Sequence, residues 1–230
     1  MSLLITTCVL FVGSHLLLSH PLRDPLAGRL GPRGFQIVYS VVAFATLAMV
    51  VQAWRGMPPE PPLWAVDDPL WALASLLVLF ASILFMGSLI GNPALPAPGA
   101  AFAAQKAPRG VFAITRHPMM WGFALWALAH ALVMPAPGQL VLSAAIAFLA
   151  LVGSAGQDVK KARLMGDAWR HWAARTSFVP FARQVAGVTP WGDAIPRAHA
   201  LAGGFVLWLA ATWAHGALGF MAAGIWRWIG

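Results

Sequence analysis

The sequence predicts an all-α, polytopic membrane protein with about six transmembrane helices and both termini outside. The chain is 60% hydrophobic and only 10% charged, whereas a soluble domain carries roughly a quarter charged residues. Six apolar runs approach the length of about 20 residues that spans a bilayer as a helix. They cover residues 3–19, 35–54, 69–91, 111–134, 139–156 and 201–226. Because these runs are continuously apolar rather than alternating, helices are favoured over membrane strands.

The basic residues predict the orientation. The loops after the first, third and fifth runs hold thirteen of the 15 Lys and Arg residues, and the other side has only Arg55 and Arg227. The thirteen are Arg23, Arg29, Arg33, Lys106, Arg109, Arg116, Lys160, Lys161, Arg163, Arg170, Arg175, Arg183 and Arg197. The positive-inside rule then places these loops in the cytoplasm and both termini outside. The net charge of +8 therefore reflects topology and attraction to anionic lipid, not nucleic-acid binding.

We predict a single transmembrane helical domain over residues 1–230, because no stretch between the runs is long enough for an independent soluble core. Residues 157–185 are expected to form an amphipathic cytoplasmic segment, with Trp169 and Trp172 in the headgroup layer. The first run has no basic residue before it and no convincing cleavage site after it, so we interpret it as a retained helix. Cys8 is the only cysteine, so an intrachain disulfide is impossible and it is expected to be a small apolar filler.

Three of the seven histidines lie within apolar runs: His15, His130 and His215. Ionisable side chains in a membrane are costly and usually face the bundle interior with a partner. At 1.5 Å per residue, His15 and His130 are each expected about 18 Å from opposite surfaces. In a core about 30 Å thick their depths would then differ by roughly 6 Å. His117 lies thirteen residues before His130, about 20 Å away along one helix, so these two cannot share a metal ion.

Two imidazoles approaching from different helices inside an apolar wall are typical of a bis-axial haem site. The alternative for each histidine is a structural hydrogen bond to a neighbouring carbonyl. A zinc site is less favoured, because it would need a third or fourth ligand, usually Cys or a carboxylate. The runs offer only Cys8 and no interior carboxylate.

Several motifs resemble the NnrU family, membrane proteins associated with nitrite and nitric oxide reductase expression in denitrifying bacteria. The motifs are FVGSH at 11–15, GNP at 91–93, ITRHP at 114–118, WG at 121–122 and LWALAH at 125–130. The 15-cis-ζ-carotene isomerase of plants and cyanobacteria is also similar, and that enzyme carries haem b. The resemblance implies His15 and His130 as axial ligands, with His215 in reserve. Ala127 replaces a cysteine found in the plant enzyme, which argues against the same isomerisation here.

A second resemblance involves the isoprenylcysteine and phospholipid methyltransferases, which bind S-adenosylmethionine. It rests on RHPMMWG at 116–122 and on the later segment with Asp158, Trp169, Arg170 and Trp172. Arg116 and His117 precede a helix expected to begin at Pro118, because proline suits the first helical position. Free N–H groups there favour an anion such as a phosphate, a carboxylate or a haem propionate. The alternative is that the pair anchors the chain at the interface. Asn92 is interpreted as a helix cap rather than a pocket residue.

The leading hypothesis is a haem b-binding protein of the bacterial inner membrane that acts in nitrogen-oxide metabolism, in a redox, isomerase-like or regulatory role. Its expected partners are the lipid bilayer and a small apolar or nitrogen-oxide ligand. The alternatives are an S-adenosylmethionine-dependent membrane methyltransferase and a non-catalytic membrane scaffold. A permease is disfavoured because the runs contain almost no charge. No residue is assigned a catalytic role.

The loop charges generate a topology prediction. Alkaline phosphatase fused after Gly230 should be active, and the same enzyme fused near Val185 should be inactive, because the basic loops are expected inside. Activity assays on whole cells, with both fusions detected at equal levels, are the measurement. The reverse pattern would contradict the predicted orientation.

Overall fold

The computed structural model describes residues 1–96 and 99–229. In this part the chain is 74% helical and contains no strand, which confirms the all-α prediction. The helices are α1 (Ser2–Ser19), α2 (Arg23–Arg55), α3 (Asp68–Ser88), α4 (Ala100–Gln105), α5 (Val111–Ile114), α6 (Pro118–Val133), α7 (Pro137–Met165), α8 (Asp167–Arg175), α9 (Ala182–Val185), α10 (Ala198–Ala217) and α11 (Trp226–Ile229). A 3-10 turn at Trp191–Ala194 precedes α10.

Five helices are long and apolar enough to cross a membrane: α1, α2, α3, α7 and α10. The protein is therefore built as a multi-pass membrane protein. Helix α6 is apolar but has only 16 residues, a length of about 24 Å. It corresponds to the fourth predicted run and is shorter than the usual range for a spanning helix.

Two of the predicted runs are not continuous helices. In the fourth, Thr115 at the end of α5 is extended, and α6 begins at Pro118 as predicted. The fourth run is therefore divided into two helices, because the residue before a proline is disfavoured in the α conformation. In the sixth, α10 ends at Ala217, and Gly219 and Gly224 both have positive φ. The expected helix to residue 226 is interrupted by this glycine-rich turn.

Many basic residues expected in loops lie on helices instead. Helix α2 is continuous from Arg23 apart from a kink at Gly31, where φ is 70° and Pro32 follows. Arg29 and Arg33 flank that kink. Helix α7 continues beyond the apolar run to Met165 and so carries Lys160, Lys161 and Arg163. These polar turns extend the helices past the apolar part of the bundle.

Helix α3 is the central support of one half of the bundle, with α6 and α10 packed against it. The contacts are made by glycines. A Cβ at Gly122 of α6 would lie 2.9 Å from the Ala81 carbonyl oxygen, and one at Gly204 of α10 would lie 2.6 Å from the Ile83 Cα. Small residues allow this approach of backbones, which drives helix association in lipid. In the other half, α1 packs on α2 and α7, and Cys8 is buried beside Leu4, as expected of an apolar filler.

The basic side of the bundle has an apolar core of its own. Trp169 and Trp172 of α8 are only 1% and 2% exposed, and they pack with α5, which includes Phe112 and Ile114. The Phe112 and Trp172 rings meet edge to face at 5.8 Å. The expectation that these tryptophans lie in the lipid headgroup layer is therefore wrong. Their large apolar surface is buried more completely by protein than it would be at a wet interface.

The α3–α10 contact generates a stability prediction. Gly204→Ala should lower stability by about 1–3 kcal/mol, because the new methyl group collides with backbone that cannot move aside. The matched control is Gly216→Ala on the same helix, where a Cβ would meet nothing within 4 Å. That control should change stability by no more than about 1 kcal/mol. Thermal unfolding of the detergent-purified variants is the measurement. Equal midpoints for the two variants would contradict the close approach.

Candidate functional site

The three histidines within the spans share one local arrangement. Each places Nδ1 within hydrogen-bond distance of the carbonyl oxygen four residues earlier in its own helix. The distances are 2.8 Å from His15 to Phe11, 2.8 Å from His130 to Trp126 and 2.9 Å from His215 to Ala211. A carbonyl oxygen only accepts, so Nδ1 carries the hydrogen and Nε2 keeps its lone pair. This is how a metal-binding imidazole is usually oriented.

Two of these three rings come together at one place. The ring centroids of His130 and His215 are 6.2 Å apart, with an interplanar angle of 27°. Trp126 covers His130 at 4.0 Å, and Phe220 meets His215 at 6.2 Å. The two histidines come from α6 and α10, the helices that both pack on α3. Aromatic side chains thus lie beside two imidazoles, near the ends of α6 and α10 that face away from the basic side.

His15 lies in a different cluster, against Phe11 at 4.4 Å and Tyr39 of α2 at 5.6 Å. The position of His15 along the bundle axis can be inferred from the contacts of α1 with α7. His20 lies directly against Gly156 of α7, whereas His130 is close to the turn that leads into Pro137. At 1.5 Å per residue, His15 and His130 are therefore offset by roughly 15 Å along α7. This exceeds the offset expected from the sequence, because α1 and α6 do not begin at the same levels.

A second polar cluster lies on the basic side, where α6 begins. The Arg116 guanidinium makes a bidentate pair with Asp158, with Nε at 2.8 Å and Nη2 at 2.5 Å from Oδ2. His117 Nε2 lies 2.7 Å from Asp158 Oδ1. The arginine also lies over the Phe178 ring, at 5.5 Å from its centroid. Planar, charge-assisted pairing of this kind holds the carboxylate ionised and ties α6 to the end of α7.

The backbone before α6 is fixed by the segment that follows α8. Arg116 N–H donates to the Ser177 carbonyl at 2.8 Å, and Thr115 Oγ1 donates to the Phe178 carbonyl at 2.6 Å. His117 is 2% exposed. Its Nδ1 has no hydrogen-bond partner within the part of the chain that the structure describes. The cluster is thus closed on Asp158, and neither Arg116 nor His117 acts as a lipid-facing anchor.

Asn92, Gln157 and Lys161 have structural roles that join α7 to the segment after α3. Asn92 Oδ1 accepts from Ala94 N–H at 2.9 Å, a local turn rather than a pocket contact. Gln157 donates to the Ala94 carbonyl at 2.9 Å. The Lys161 amine, 8% exposed, donates to the carbonyls of Pro93 and Leu95 at 3.0 and 3.1 Å. The sequence feature that indicates these contacts is the i, i+4 spacing of Gln157 and Lys161, which puts both on one face of α7.

No group of three or more His, Cys, Asp or Glu side chains that could hold a metal ion occurs within residues 1–96 and 99–229. A centre that needs three or four protein ligands has no candidate there. A site with two axial histidines has a different requirement, because the remaining iron ligands come from the cofactor.

With this geometry described, the comparison with known proteins can be stated. A family model described as NnrU protein matches residues 3–223. The chain belongs to the NnrU family. No curated protein and no solved structure matches it. The family match covers both polar clusters and all three histidines of the spans, so both clusters belong to the NnrU part of this chain.

The second cluster generates a prediction about stability. Asp158→Ala should destabilise this NnrU protein by about 1–3 kcal/mol, because it leaves the partly buried Arg116 and His117 without their acceptor. Asp158→Asn keeps the shape and one acceptor oxygen and should cost less. The control is Asp167→Ala, which breaks an exposed pair with Arg170 and should change stability by no more than about 0.5 kcal/mol. Unfolding midpoints in detergent measure all three. An unchanged midpoint for Asp158→Ala would show that the pair is not structural.

Proposed function

We propose that this NnrU protein binds haem b within the membrane and acts in nitrogen-oxide metabolism in the bacterial inner membrane. One observation carries the proposal: His130 and His215 form a close pair of imidazoles, each with Nδ1 engaged by its own helix and Nε2 left free. The resemblance to a haem b isomerase, stated from the sequence, supports the same cofactor. It also supplies His15 as an alternative ligand.

The spacing of the pair fits a haem iron. An imidazole nitrogen lies about 2 Å from a metal that it binds. Two rings that share one iron therefore have their centroids about 6 Å apart. The 6.2 Å separation of His130 and His215 would meet this requirement with both Nε2 atoms directed at the iron. His130 is favoured by the resemblance and by the geometry, so we assign it as one axial ligand.

The family resemblance and the ring geometry indicate different residues as the second histidine ligand of the haem iron. The resemblance implies His15, which lies with Phe11 and Tyr39 and is offset from His130 by several turns of helix. The ring geometry favours His215, because its ring lies 6.2 Å from that of His130. We take His130 and His215 as the proposed pair and His15 as the alternative that the spectroscopic test below must exclude.

The neighbouring side chains have definite tasks in this proposal. The Trp126 and Ala211 carbonyls orient the two imidazoles and raise the basicity of Nε2 by accepting from Nδ1. Trp126 and Phe220 lie against the rings, at 4.0 and 6.2 Å between centroids. When bound between two histidines, haem supplies one-electron redox chemistry. Nitrite and nitric oxide reduction is chemistry of this class, which agrees with the nitrogen-oxide role that the NnrU resemblance implies.

The methyltransferase alternative depends on Arg116, His117 and Asp158, which do come together. These three side chains already pair with one another, however. Two nitrogens of the Arg116 guanidinium already contact Asp158, and His117 Nε2 contacts the same carboxylate. A carboxylate of S-adenosylmethionine would have to displace Asp158 from Arg116. The non-catalytic scaffold alternative predicts a colourless protein.

The absorption spectrum of the detergent-purified protein from haem-replete cells tests the proposal. We expect a Soret band and sharp low-spin visible bands on reduction. His130→Ala and His215→Ala should each remove the haem or convert it to high spin, since each opens an axial position. His15→Ala should leave the low-spin spectrum unchanged.

Two further variants serve as controls. His117 lies about 20 Å from His130, and His171 is an exposed residue of α8. His117→Ala and His171→Ala should therefore both retain the wild-type spectrum. Loss of haem in His15→Ala but not in His215→Ala would replace the ligand pair by the one that the resemblance implies. A colourless wild-type preparation would contradict haem binding altogether.

A further inference from the structure

A second cavity, unrelated to the histidine pair, lies on the basic side of the bundle where α3 ends and α10 begins. Its volume is about 130 Å³. Four basic side chains line it, together with an apolar floor that includes Phe112 and Trp172. The four are Lys106, Arg109, Arg197 and His199. A space of this size holds several water-sized atoms and is sufficient for the oxygens of a phosphate group.

The cavity has a surplus of positive charge. Arg109 pairs with Asp193 at 2.7 Å. Within residues 1–96 and 99–229, Lys106, Arg197 and His199 form no ion pair with a carboxylate. Lys106 instead lies over the Phe102 ring, at 4.8 Å from its centroid. Three cations and a histidine therefore share one small space with a single carboxylate nearby, an arrangement that attracts an anion.

The backbone at the start of α10 adds to the positive potential of the cavity. Arg197 is the N-cap of α10, a helix of 20 residues, and it makes no side-chain capping hydrogen bond. The first N–H groups of a helix have no partner inside the helix, and they carry the positive end of its dipole. His199 and Ala200 of this first turn line the cavity.

An independent observation points to a missing acceptor. Trp172 lines the cavity and is 2% exposed. Its indole N–H finds no acceptor among residues 1–96 and 99–229. Trp64, Trp121 and Trp226 each donate this N–H to a backbone carbonyl, at 2.9 to 3.1 Å. Trp208, away from the cavity, also has a buried indole N–H with no acceptor in the described residues. An unpaired buried donor is costly, and an anionic oxygen in the cavity would satisfy it.

The surroundings indicate the source of that anion. The cavity lies between the end of α3 and the start of α10, two helices apolar enough to span a membrane, and exposed apolar side chains lie on the same segments. Ile90 is 62% exposed, Phe102 64% and Phe205 49%. A ligand with a charged head and acyl chains would match both features, because its chains would cover these side chains while its head enters the basic cavity. A free phosphate ion would use only the second feature.

We propose that this cavity binds the phosphate headgroup of an anionic membrane lipid. Lys106, Arg197 and the first turn of α10 contact the phosphate oxygens, and Trp172 donates its N–H to one of them. The acyl chains lie along the outer surface of α3 and α10, over Ile90 and Phe205. The proposal is independent of haem, since it shares no residue with the histidine pair.

The test uses the delipidated full-length protein reconstituted in nanodiscs of phosphatidylcholine, with and without phosphatidylglycerol. Bound lipid is counted by native mass spectrometry after release. The wild-type protein should retain phosphatidylglycerol in preference to phosphatidylcholine. Each basic residue near an anionic lipid contributes a factor of roughly five in affinity, so Lys106→Gln with Arg197→Gln should weaken retention at least tenfold. Trp172→Phe keeps the ring and should weaken retention severalfold.

The matched control is Arg29→Gln with Arg33→Gln. It removes the same charge from exposed positions on the same side of the bundle, and neither residue forms an ion pair within residues 1–96 and 99–229. Its retention should equal that of the wild-type protein. Equal losses in both double variants, or no preference between the two lipids, would overturn the proposal. Glycerol 3-phosphate that binds as tightly as phosphatidylglycerol would show that the ligand is a soluble phosphate and would overturn the choice of lipid.

Discussion

The close backbone contact of α3 with α6 and α10 determines where the other groups of this protein lie. In lipid no hydrophobic force brings helices together, so their association depends on packing and on the few polar contacts available. Gly122 and Gly204 let α6 and α10 approach the α3 backbone at Ala81 and Ile83. Those two helices carry His130 and His215. The distance between the imidazoles is therefore set by glycine contacts elsewhere on the same helices.

The basic side of the bundle is held by a different kind of interaction. There the helices leave the apolar layer, and charged groups hold them together: Arg116 with Asp158, and Lys161 with the carbonyls after α3. Buried polar groups of this kind are tolerated because almost all are paired within the protein. The short α6 fits this arrangement, since its first turn is anchored through Arg116 and its length need not cover the whole membrane.

The sequence alone could predict the class of fold, the helix start at Pro118 and the three intramembrane histidines, because these depend on local composition and spacing. It could not predict the contact between His130 and His215, which are 85 residues apart and meet only because both helices pack on α3. The burial of Trp169 and Trp172 has the same origin. Their spacing indicates an amphipathic helix, but whether its apolar face meets lipid or α5 depends on the tertiary fold.

The two ends of the bundle therefore differ in chemistry. His130 is four residues from the C-cap of α6, and His215 is three residues from that of α10. Haem held between them would lie near the surface that carries Glu60, Asp67 and Asp68, not near the basic side. The Arg116–Asp158 pair and the anion-attracting cavity occupy the opposite surface. If the orientation follows the positive-inside rule, the histidine pair lies toward the outside of the membrane and the basic side meets the cytoplasmic leaflet. This separation allows lipid binding at one surface without direct contact with the chemistry at the other.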